Sequence, residues 1–304
     1  MALTKQKEHH HNNHQPVLLS DTIRLLAPKS DDSYLDLTAG YGGHAAAVLA
    51  KTKRPDRMVL VDRDDAAIKA LDRFKEQGSV VIHQDFLAAT SQLSGQKFDM
   101  ILADLGVSSQ HFDRADRGFS FTLNGPLDMR MDRSGALTAS QIVNDWPVER
   151  IADVIRRYGE EPRALVIAQR IVANRPINST AVLAETIRPA ASQSGRRKHP
   201  ATRVFQAIRI AVNDELTQLD DTLPLLPDLM APGGRLCIIS FHSLEDRLVK
   251  QFFKELCGGG YEAEHELLTK RPIKGELNDV HNPRARSARL RAVVKIKNQK
   301  RREQ

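Results

Sequence analysis

The fold is decided by the stretch Asp36-Leu37-Thr38-Ala39-Gly40-Tyr41-Gly42-Gly43-His44, which joins an apolar strand at residues 33–38 to an alanine-rich helix at residues 45–51. Glycines at such a junction let the backbone turn sharply and approach a ligand closely. Three further strand-like runs follow, at residues 58–62, 80–82 and 98–103. Residues 65–74, between the first two of these runs, have a helical pattern. Strands that alternate with helices form right-handed βαβ units. The sequence therefore predicts an α/β fold with a Rossmann-like parallel sheet.

A long segment separates the fourth strand from the next convincing strand, at residues 235–240. Crossover connections usually need little more than one helix, whereas residues 110–234 are too long and too apolar for a loop. Within this segment, apolar residues recur at helical spacing at Ile151, Val154, Ile155 and Tyr158. Thr138 and Gln141 are predicted to form a capping box at the start of its first helix. A helix from Val204 to Leu219 is expected to return the chain to the sheet.

These patterns predict two domains. We expect a discontinuous α/β domain at residues 1–113 and 209–304, and an inserted all-helical domain at residues 114–208 that recognises substrate. The first and fourth strands are expected to be neighbours, because ligands of open α/β sheets bind where the strand order reverses. Gly42 and Asp104 would then face one cleft.

Composition excludes several classes of protein. Two cysteines among 304 residues cannot form a disulfide framework. They also lack the neighbours of a zinc site, so we predict no metal. No apolar run approaches the roughly 18 residues that span a bilayer. The polar residues 1–13 do not resemble a secretory signal. We expect a reduced, cytoplasmic protein without membrane contact.

Positive charge is concentrated at one end of the chain. The net charge is +7, yet residues 281–304 alone carry nine basic residues against one acid. A second basic group stands at Arg196-Arg197-Lys198. A neutral body with a basic tail suits contact with a polyanion, although a tail of this kind can also serve only solubility.

The glycine turn and a second acid predict a nucleoside cofactor. Asp62 ends the second strand, where a carboxylate can accept hydrogen bonds from both hydroxyls of a ribose. This pattern alone fits a nicotinamide cofactor and S-adenosylmethionine about equally. Two details favour S-adenosylmethionine. Asp36 would repel a pyrophosphate but could pair with the amino group of a methionine moiety, and Ala45 stands where a third glycine usually sits.

Two further loops are expected to line the cleft. Asp104 ends the fourth strand, where a carboxylate can accept a hydrogen bond from an amine and take the proton released when that amine is methylated. Alternatively, Asp104 could have only a structural role and cap the following turn. After the fifth strand, His242 and Arg247 are candidates for contact with a substrate base or phosphate, and Ser243 is expected to cap the next helix.

Several long motifs in this order resemble the bacterial 16S ribosomal RNA cytosine-N(4) methyltransferase family, the small-subunit methyltransferase H or MraW group. The resemblance covers nearly the whole chain. It rests on His14-Gln15-Pro16-Val17-Leu18-Leu19, Asp104-Leu105-Gly106-Val107-Ser108-Ser109, Arg117-Gly118-Phe119-Ser120-Phe121, Pro126-Leu127-Asp128-Met129-Arg130-Met131-Asp132, Phe205-Gln206-Ala207-Ile208-Arg209-Ile210, the string from Ser240 to Arg247, and Asn282-Pro283-Arg284-Ala285-Arg286-Ser287-Ala288-Arg289-Leu290-Arg291.

The resemblance implies a class I methyltransferase sheet with an inserted helical domain, and S-adenosylmethionine as the cofactor. Its motifs assign cofactor contacts to Gly42, Gly43, His44, Asp62, Phe86, Asp104 and His111, which join Asp36 from the argument above. Within that set, the glycines and His44 line the methionine end, Asp62 holds the ribose and Phe86 lies against the adenine. The family usually has Gln seven positions after Asp104, where this chain has His111 preceded by Gln110. Either residue could take that contact.

The resemblance also implies a reaction and a partner. The substrate would be the N(4) amine of a decoding-centre cytidine in 16S ribosomal RNA, within the small ribosomal subunit. Asp104 and His242 are the catalytic candidates, and the candidates for RNA contact are Arg130, Arg203, Arg247, Arg284 and Arg286. Phe119 and Phe121 could stack on an extruded base or could belong to the core. A homodimer is left open.

Two other functions remain compatible with parts of the pattern. A nicotinamide-dependent oxidoreductase would use the same glycine turn and the same Asp62. A non-catalytic RNA-binding factor of ribosome assembly would retain the fold without the reaction. Cofactor binding separates the first from a methyltransferase, and methyl incorporation separates the second.

Overall fold

The computed structural model describes residues 16–107, 109–190, 201–260, 263–275 and 283–296. Within these residues the strands are β1 (Tyr34–Asp36), β2 (Met58–Asp62), β3 (Val80–His83), β4 (Phe98–Asp104), β5 (Met230–Ser240), β6 (His265–Leu267), β7 (Ile273–Lys274) and β8 (Arg289–Lys295). The helices are α1 (Leu19–Leu26), α2 (Gly43–Thr52), α3 (Asp65–Lys75), α4 (Phe86–Gln92), α5 (Ser109–Asp113), α6 (Ala139–Asp145), α7 (Val148–Gly159), α8 (Ala164–Ala173), α9 (Thr180–Ile187), α10 (Thr202–Asn213), α11 (Glu215–Thr222), α12 (Leu226–Leu229) and α13 (Ser243–Leu256).

All eight described strands form one sheet in the order β3-β2-β1-β4-β5-β8-β6, with β7 paired to β8. Strands β1 to β5 pair in parallel, whereas β8 runs antiparallel to β5, β6 and β7. The strand order reverses between β1 and β4, so the predicted switch point is confirmed. In a parallel sheet the carboxyl ends of the strands share one edge, and Asp36, Asp62 and Asp104 all end strands there.

Alternation along the strands sends neighbouring side chains to opposite faces of the sheet. Leu35 and Ile101 face a core closed by α4, α11 and α13. Tyr34 and Met100 face a second core closed by α1, α2 and α3. Because both faces are covered, the strands are continuously apolar, as expected for a parallel sheet.

The helices after β4 have a core of their own. Five fully buried side chains come from α6, α7, α8, α9 and α10: Ile142, Ile155, Ile167, Leu183 and Ile208. Helix α6 begins at the expected capping box, in which the hydroxyl of Thr138 accepts from the Gln141 N–H and the Gln141 side chain accepts from the Thr138 N–H. The boundaries proposed from sequence for the inserted domain, residues 114–208, stay a prediction.

Two elements differ from the sequence-based expectation, the helix ahead of β5 and β5 itself. The predicted single helix from Val204 to Leu219 was wrong, because Asp214 has a φ of +49° and divides it into α10 and α11. Strand β5 begins at Met230, ahead of the expected residue 235, and its pairing with β4 shifts register between Phe98 and Met100. Among the described residues, no helix is both long enough and apolar enough to cross a membrane.

Candidate active site

The glycine turn after β1 is shaped by close packing. Gly42 has a φ of +76°, and a Cβ there would lie 2.3 Å from Cε2 of Phe74. A Cβ on Gly43 would lie 2.4 Å from Cγ of Pro16. Gly40, with a φ of +52°, has no atom nearer than 3.9 Å in that direction. Gly42 and Gly43 are therefore required by the protein's own packing, and the open side of the turn is at Gly40.

Asp62 is fixed against this turn. Its two carboxylate oxygens accept the N–H groups of Gly40 at 2.7 Å and of Asp64 at 2.9 Å. Burial raises the pKa of Asp62, although both hydrogen bonds act in the opposite direction. The carboxylate is half-buried, and each oxygen keeps a further lone pair. The residue can therefore still accept further hydrogen bonds, and its contact with the hydroxyls of a ribose stays a prediction.

Asp104 and His44 meet at the switch point between β1 and β4. Nδ1 of His44 lies 3.7 Å from Oδ2 of Asp104, and Nε2 of His44 lies 3.2 Å from the carbonyl oxygen of Val17. A carbonyl can only accept, so Nε2 carries the proton and Nδ1 presents a lone pair. The other oxygen of Asp104, Oδ1, is buried and has no hydrogen-bond partner among the described residues.

Electrostatics act on the two acceptors in different ways. Burial lowers the pKa of His44 to about 4, so the imidazole is neutral at physiological pH. Burial, followed by the charges of Asp36 and Glu245, raises the pKa of Asp104 well above its ordinary value. An ionised Asp104 beside the lone pair of His44 offers acceptors without a donor between them. This pocket suits a ligand group that carries several N–H bonds, such as an amine or an ammonium group.

Asp36 is more deeply buried than the sequence predicts for a ligand contact. Its side chain accepts from the hydroxyl of Tyr34 at 2.7 Å and from the N–H of Thr38 at 3.2 Å, and the residue is 1% exposed. Burial raises the pKa of Asp36 to about 7 against those two hydrogen bonds. Thr38 in turn accepts the N–H of Asp104 through its Oγ1 at 2.6 Å. Direct pairing of Asp36 with the methionine amino group stays a prediction.

His242 occupies the N-cap position of α13. Its Nδ1 accepts from the N–H of Glu245 at 3.3 Å, and Oε2 of Glu245 accepts from the N–H of His242 at 3.2 Å. The expectation that Ser243 caps this helix was therefore wrong by one residue. The hydroxyl of Ser243 instead donates to Glu160 at 2.6 Å. The catalytic role of His242 stays a prediction, because these contacts give it a structural one.

A buried ionic cluster surrounds this cap. Within the described residues, ligand-type atoms of Glu215, His242 and Glu245 lie within 4.8 Å of one another. The guanidinium of Arg209 donates to both oxygens of Glu215, each at 2.8 Å. Burial raises the pKa of Glu245, but the opposing contributions of His242 and Arg209 are larger and leave it lowered. The Arg209 charge already neutralises Glu215, which disfavours a metal cation there.

His111 and Phe86 are the two remaining residues predicted to contact the cofactor. His111 is buried on α5, with Nε2 3.2 Å from Oδ2 of Asp64. The Gln110 side chain lies outside the described residues, and the choice between Gln110 and His111 stays a prediction. Phe86 begins α4 and is half-buried against the sheet core. Their contacts with a cofactor stay predictions.

The arginines predicted to contact RNA differ in their surroundings. Arg130 is paired with Asp128 at 2.8 Å and donates to two carbonyls of its own loop. Arg203 contacts Glu161, and Arg247, 63% exposed, contacts Glu160. Arg286 is exposed. The side chain of Arg284 and the basic group at residues 196–198 lie outside the described residues.

Sequence reasoning left the stacking role of two phenylalanines open and missed one ion pair. Phe119 is 4% exposed in the helical core, and the half-buried Phe121 packs against that core. The structure therefore favours the core alternative. The ion pair joins Asp64 and Arg117, each 6% exposed at the side chain. Arg117 stands in a quoted motif and Asp64 follows the end of β2, but no local pattern indicates that they meet.

The order of the parallel strands, which reverses between β1 and β4, with Asp62 and Asp104 at strand ends along one edge of the sheet, is typical of the class I methyltransferase fold. The particular family is shown by the sequence itself. The model of the MraW methylase family matches residues 11–296, and the chain belongs to that family. It is a methyltransferase with S-adenosylmethionine as its cofactor, and the family predicted from the motifs is confirmed.

Similar proteins extend over nearly the whole chain. The chain is 44% identical over 310 residues to the ribosomal RNA small subunit methyltransferase H of Heliobacterium mobile, covering 93% of this chain and 99% of that one. The protein of the same name from Thermomicrobium roseum is also 44% identical, with 93% and 94% covered. Among solved structures, an rRNA methylase from Streptococcus thermophilus is a distant likeness, with 11% identity, a TM-score of 0.41, and coverage of 93% of this chain and 98% of that one.

Proposed function

We propose that this protein methylates the N(4) amine of a decoding-centre cytidine in 16S ribosomal RNA, with the small ribosomal subunit as its partner. The names of its relatives from H. mobile and T. roseum support a ribosomal RNA of the small subunit as the substrate. The observation that carries the choice of an amine is the pocket between Asp104 and His44, which offers only acceptors once Asp104 is ionised.

The chemistry of an exocyclic amine explains the need for an acceptor. Bound S-adenosylmethionine would supply an electrophilic methyl group, whose bond to the sulfonium sulfur breaks and leaves its electron pair on a neutral thioether. The nitrogen lone pair of cytosine N(4) is delocalised into the ring, which makes it a poor nucleophile. A hydrogen bond from that N–H to Asp104 favours the more tetrahedral nitrogen, and the carboxylate can take the proton that leaves as the N–C bond forms. The raised pKa of Asp104 makes it a stronger base for this step.

The two acceptors can divide their work along the pocket. His44 is the second residue of α2, immediately after the glycine turn, and we assign its Nδ1 to the methionine end of the cofactor. The orphaned Oδ1 of Asp104 is then free to accept from the target amine. This division holds the two reacting groups side by side, and such proximity supplies a large part of the rate of a group transfer.

The cysteines argue against methylation of a ring carbon. Enzymes can activate a pyrimidine carbon with a thiolate that adds to the ring. Of the two cysteines in this chain, Cys237 is fully buried within β5, where burial raises the pKa of its thiol to about 12. Cys257 follows the last turn of α13, at the end of that helix remote from the His242 cap. Neither thiol suits such a step, which favours the amine.

RNA binding is expected to rely on exposed arginines and on extrusion of the target base. A base within a stack cannot reach the methyl group, so the cytidine must leave the stack or lie in a loop. Arg203, Arg247 and Arg286 are exposed enough to contact phosphates. Affinity for the subunit should then fall as salt rises, because phosphate contacts release counterions.

The test uses small subunits purified from a strain that lacks this gene. Transfer of a tritiated methyl group, followed by nucleoside mass spectrometry of the digested RNA, identifies both the nucleotide and the methylated atom. N(4)-methylcytidine is the expected product, and a methyl group on a ribose hydroxyl or a ring carbon would overturn the proposal. Naked 16S RNA in a parallel reaction shows whether the assembled subunit is required.

Asp104→Asn supplies the matched test of mechanism. The amide keeps the shape of the side chain but replaces one acceptor with an N–H donor, so methyl transfer should fall about 10²- to 10⁴-fold. Asp65→Asn is the control, because Asp65 is 68% exposed at the side chain. Near-normal turnover by Asp104→Asn would refute the role of the carboxylate. Isothermal titration with NAD and with S-adenosylmethionine tests the oxidoreductase alternative.

A further inference from the structure

Asp64 links the ribose acid to the segment that follows β4. Its N–H donates to Oδ1 of Asp62 at 2.9 Å. In its carboxylate, Oδ1 accepts from Arg117 at 3.1 Å and Oδ2 lies 3.2 Å from Nε2 of His111. One buried residue thus contacts both the strand end that would hold the ribose and the start of the connection to the helical core.

Arg117 continues this link into the next loop. While one terminal nitrogen donates to Asp64, the other donates to the carbonyl oxygens of Arg130 at 3.0 Å and Met131 at 2.8 Å. The same loop is fixed from its other side by Asn213, the last residue of α10. The Asn213 side chain accepts from the N–H of Met131 at 2.8 Å and donates to the carbonyl of Met129 at 2.8 Å.

An ion pair in this position is not explained by stability. Desolvation of two charges can cost more than their attraction returns, and apolar groups of similar shape often stabilise a protein equally well. The fork of a guanidinium instead fixes direction, because it holds several acceptors in one plane. Burial pushes the pKa of Asp64 upward, but His111 and Arg117 together lower it to about 2. The carboxylate therefore stays ionised throughout the physiological range.

We infer that Asp64 and Arg117 are positioning residues for methyl transfer, which couple the ribose-binding turn at Asp62 to the placement of the helical core over the cleft. The inference rests on the proposed function, which supplies the RNA that the helices would hold. Neither residue takes part in the reaction itself. Loss of the pair should weaken cofactor binding and raise the KM for the subunit, whereas kcat at saturation should change far less.

The experiment compares Arg117→Gln, Asp64→Asn and the double variant with Arg114→Gln. Arg114 is a matched control, since its side chain is 52% exposed and its ion pair with Asp116 lies at the surface. Arg117→Lys is the conservative variant, which keeps the charge but not the planar fork. Isothermal titration with S-adenosylhomocysteine, without RNA, gives cofactor affinity. Steady-state methyl transfer to small subunits gives kcat and KM separately.

We expect each single variant to weaken S-adenosylhomocysteine binding by about tenfold, with the double variant no weaker than the worse single one. Arg117→Lys should recover part of the loss, and it decides the matter if Arg117→Gln does not fold. Cofactor affinity and KM equal to those of Arg114→Gln, with only a lower melting temperature, would overturn the inference. If the wild type methylates no ribosomal RNA, the proposed function fails, while the titration still decides the role of the pair.

Discussion

Replacing Asp36 by Asn should remove the decrease in the free energy of unfolding that the wild type shows as the pH rises. Asp36 is almost completely buried between Tyr34 and Thr38, whose O–H and N–H both donate to it. The asparagine carbonyl can still accept one of these hydrogen bonds, and the amide is neutral at every pH. The substitution therefore removes the titration of this group and changes the volume of the side chain very little.

The magnitude follows from the change in pKa on folding. Burial raises the pKa of Asp36 from its ordinary value of 3.8 to about 7. Between these two values the native protein keeps a proton that the unfolded chain has released. This contribution to stability is complete below the unfolded pKa and is lost as the pH rises through the folded one. A tenfold change in proton affinity corresponds to about 1.4 kcal/mol, so the loss reaches about 4 kcal/mol by pH 8.

Chemical denaturation followed by circular dichroism between about pH 5 and pH 8 measures this directly. The free energy of unfolding of Asp36→Asn, taken relative to the wild type, should rise by up to about 1.4 kcal/mol per pH unit between pH 5 and about pH 7, and should level off above that pH. A difference that does not change with pH would show that Asp36 ionises normally in the native protein. Titration of the same variant with S-adenosylhomocysteine adds a functional result. If Asp36 pairs directly with the methionine amino group, the variant should bind S-adenosylhomocysteine more weakly than the wild type does.

Three further outcomes are expected. Gly42→Ala should lower the free energy of unfolding by about 1–3 kcal/mol in chemical denaturation, because its Cβ meets Phe74 in a left-handed conformation; an unchanged value would contradict this packing. The rate of methyl transfer should rise with pH through the pKa of Asp104, which burial and two neighbouring carboxylates raise, since only the ionised form accepts; a flat pH–rate profile of the chemical step would refute this. His242→Ala should lower the free energy of unfolding by about 1 kcal/mol, whereas His242→Asn should leave it near that of the wild type, because asparagine is a favoured N-cap. Equal losses of unfolding free energy in both variants would argue against a capping role.

The sheet was largely readable from the sequence because its strands are short apolar runs with polar ends. The β-branched run that forms β2 was predicted with both ends correct, since Arg57 and Asp62 bound it. The start of β5 was missed, because Pro232-Gly233-Gly234 is typical of a turn. In the structure a register shift against β4 allows those residues to remain in the strand. Such a shift depends on the partner strand, which the local sequence does not specify.

The candidate site was predictable where one residue ends one strand, and not where two distant residues meet. Asp62 and Asp104 follow from strand ends alone. The cap of α13 was assigned to Ser243 because histidine is not among the residues that usually cap helices, whereas the ring of His242 takes that position. The contact between Asp64 and Arg117 spans 53 residues of sequence. It depends on how the segment after β4 folds back over β2.

The position of β8 has a consequence for how the protein is made. This strand is the last of the described strands along the chain, yet it lies inside the sheet between β5 and β6. During synthesis the backbone hydrogen-bonding groups on the outer edge of β5 stay unpaired until the residues of β8 have left the ribosome. Exposed edges of this kind invite pairing with other chains. Completion of the sheet therefore depends on translation reaching the end of β8, and chains stopped before that point should be prone to aggregate.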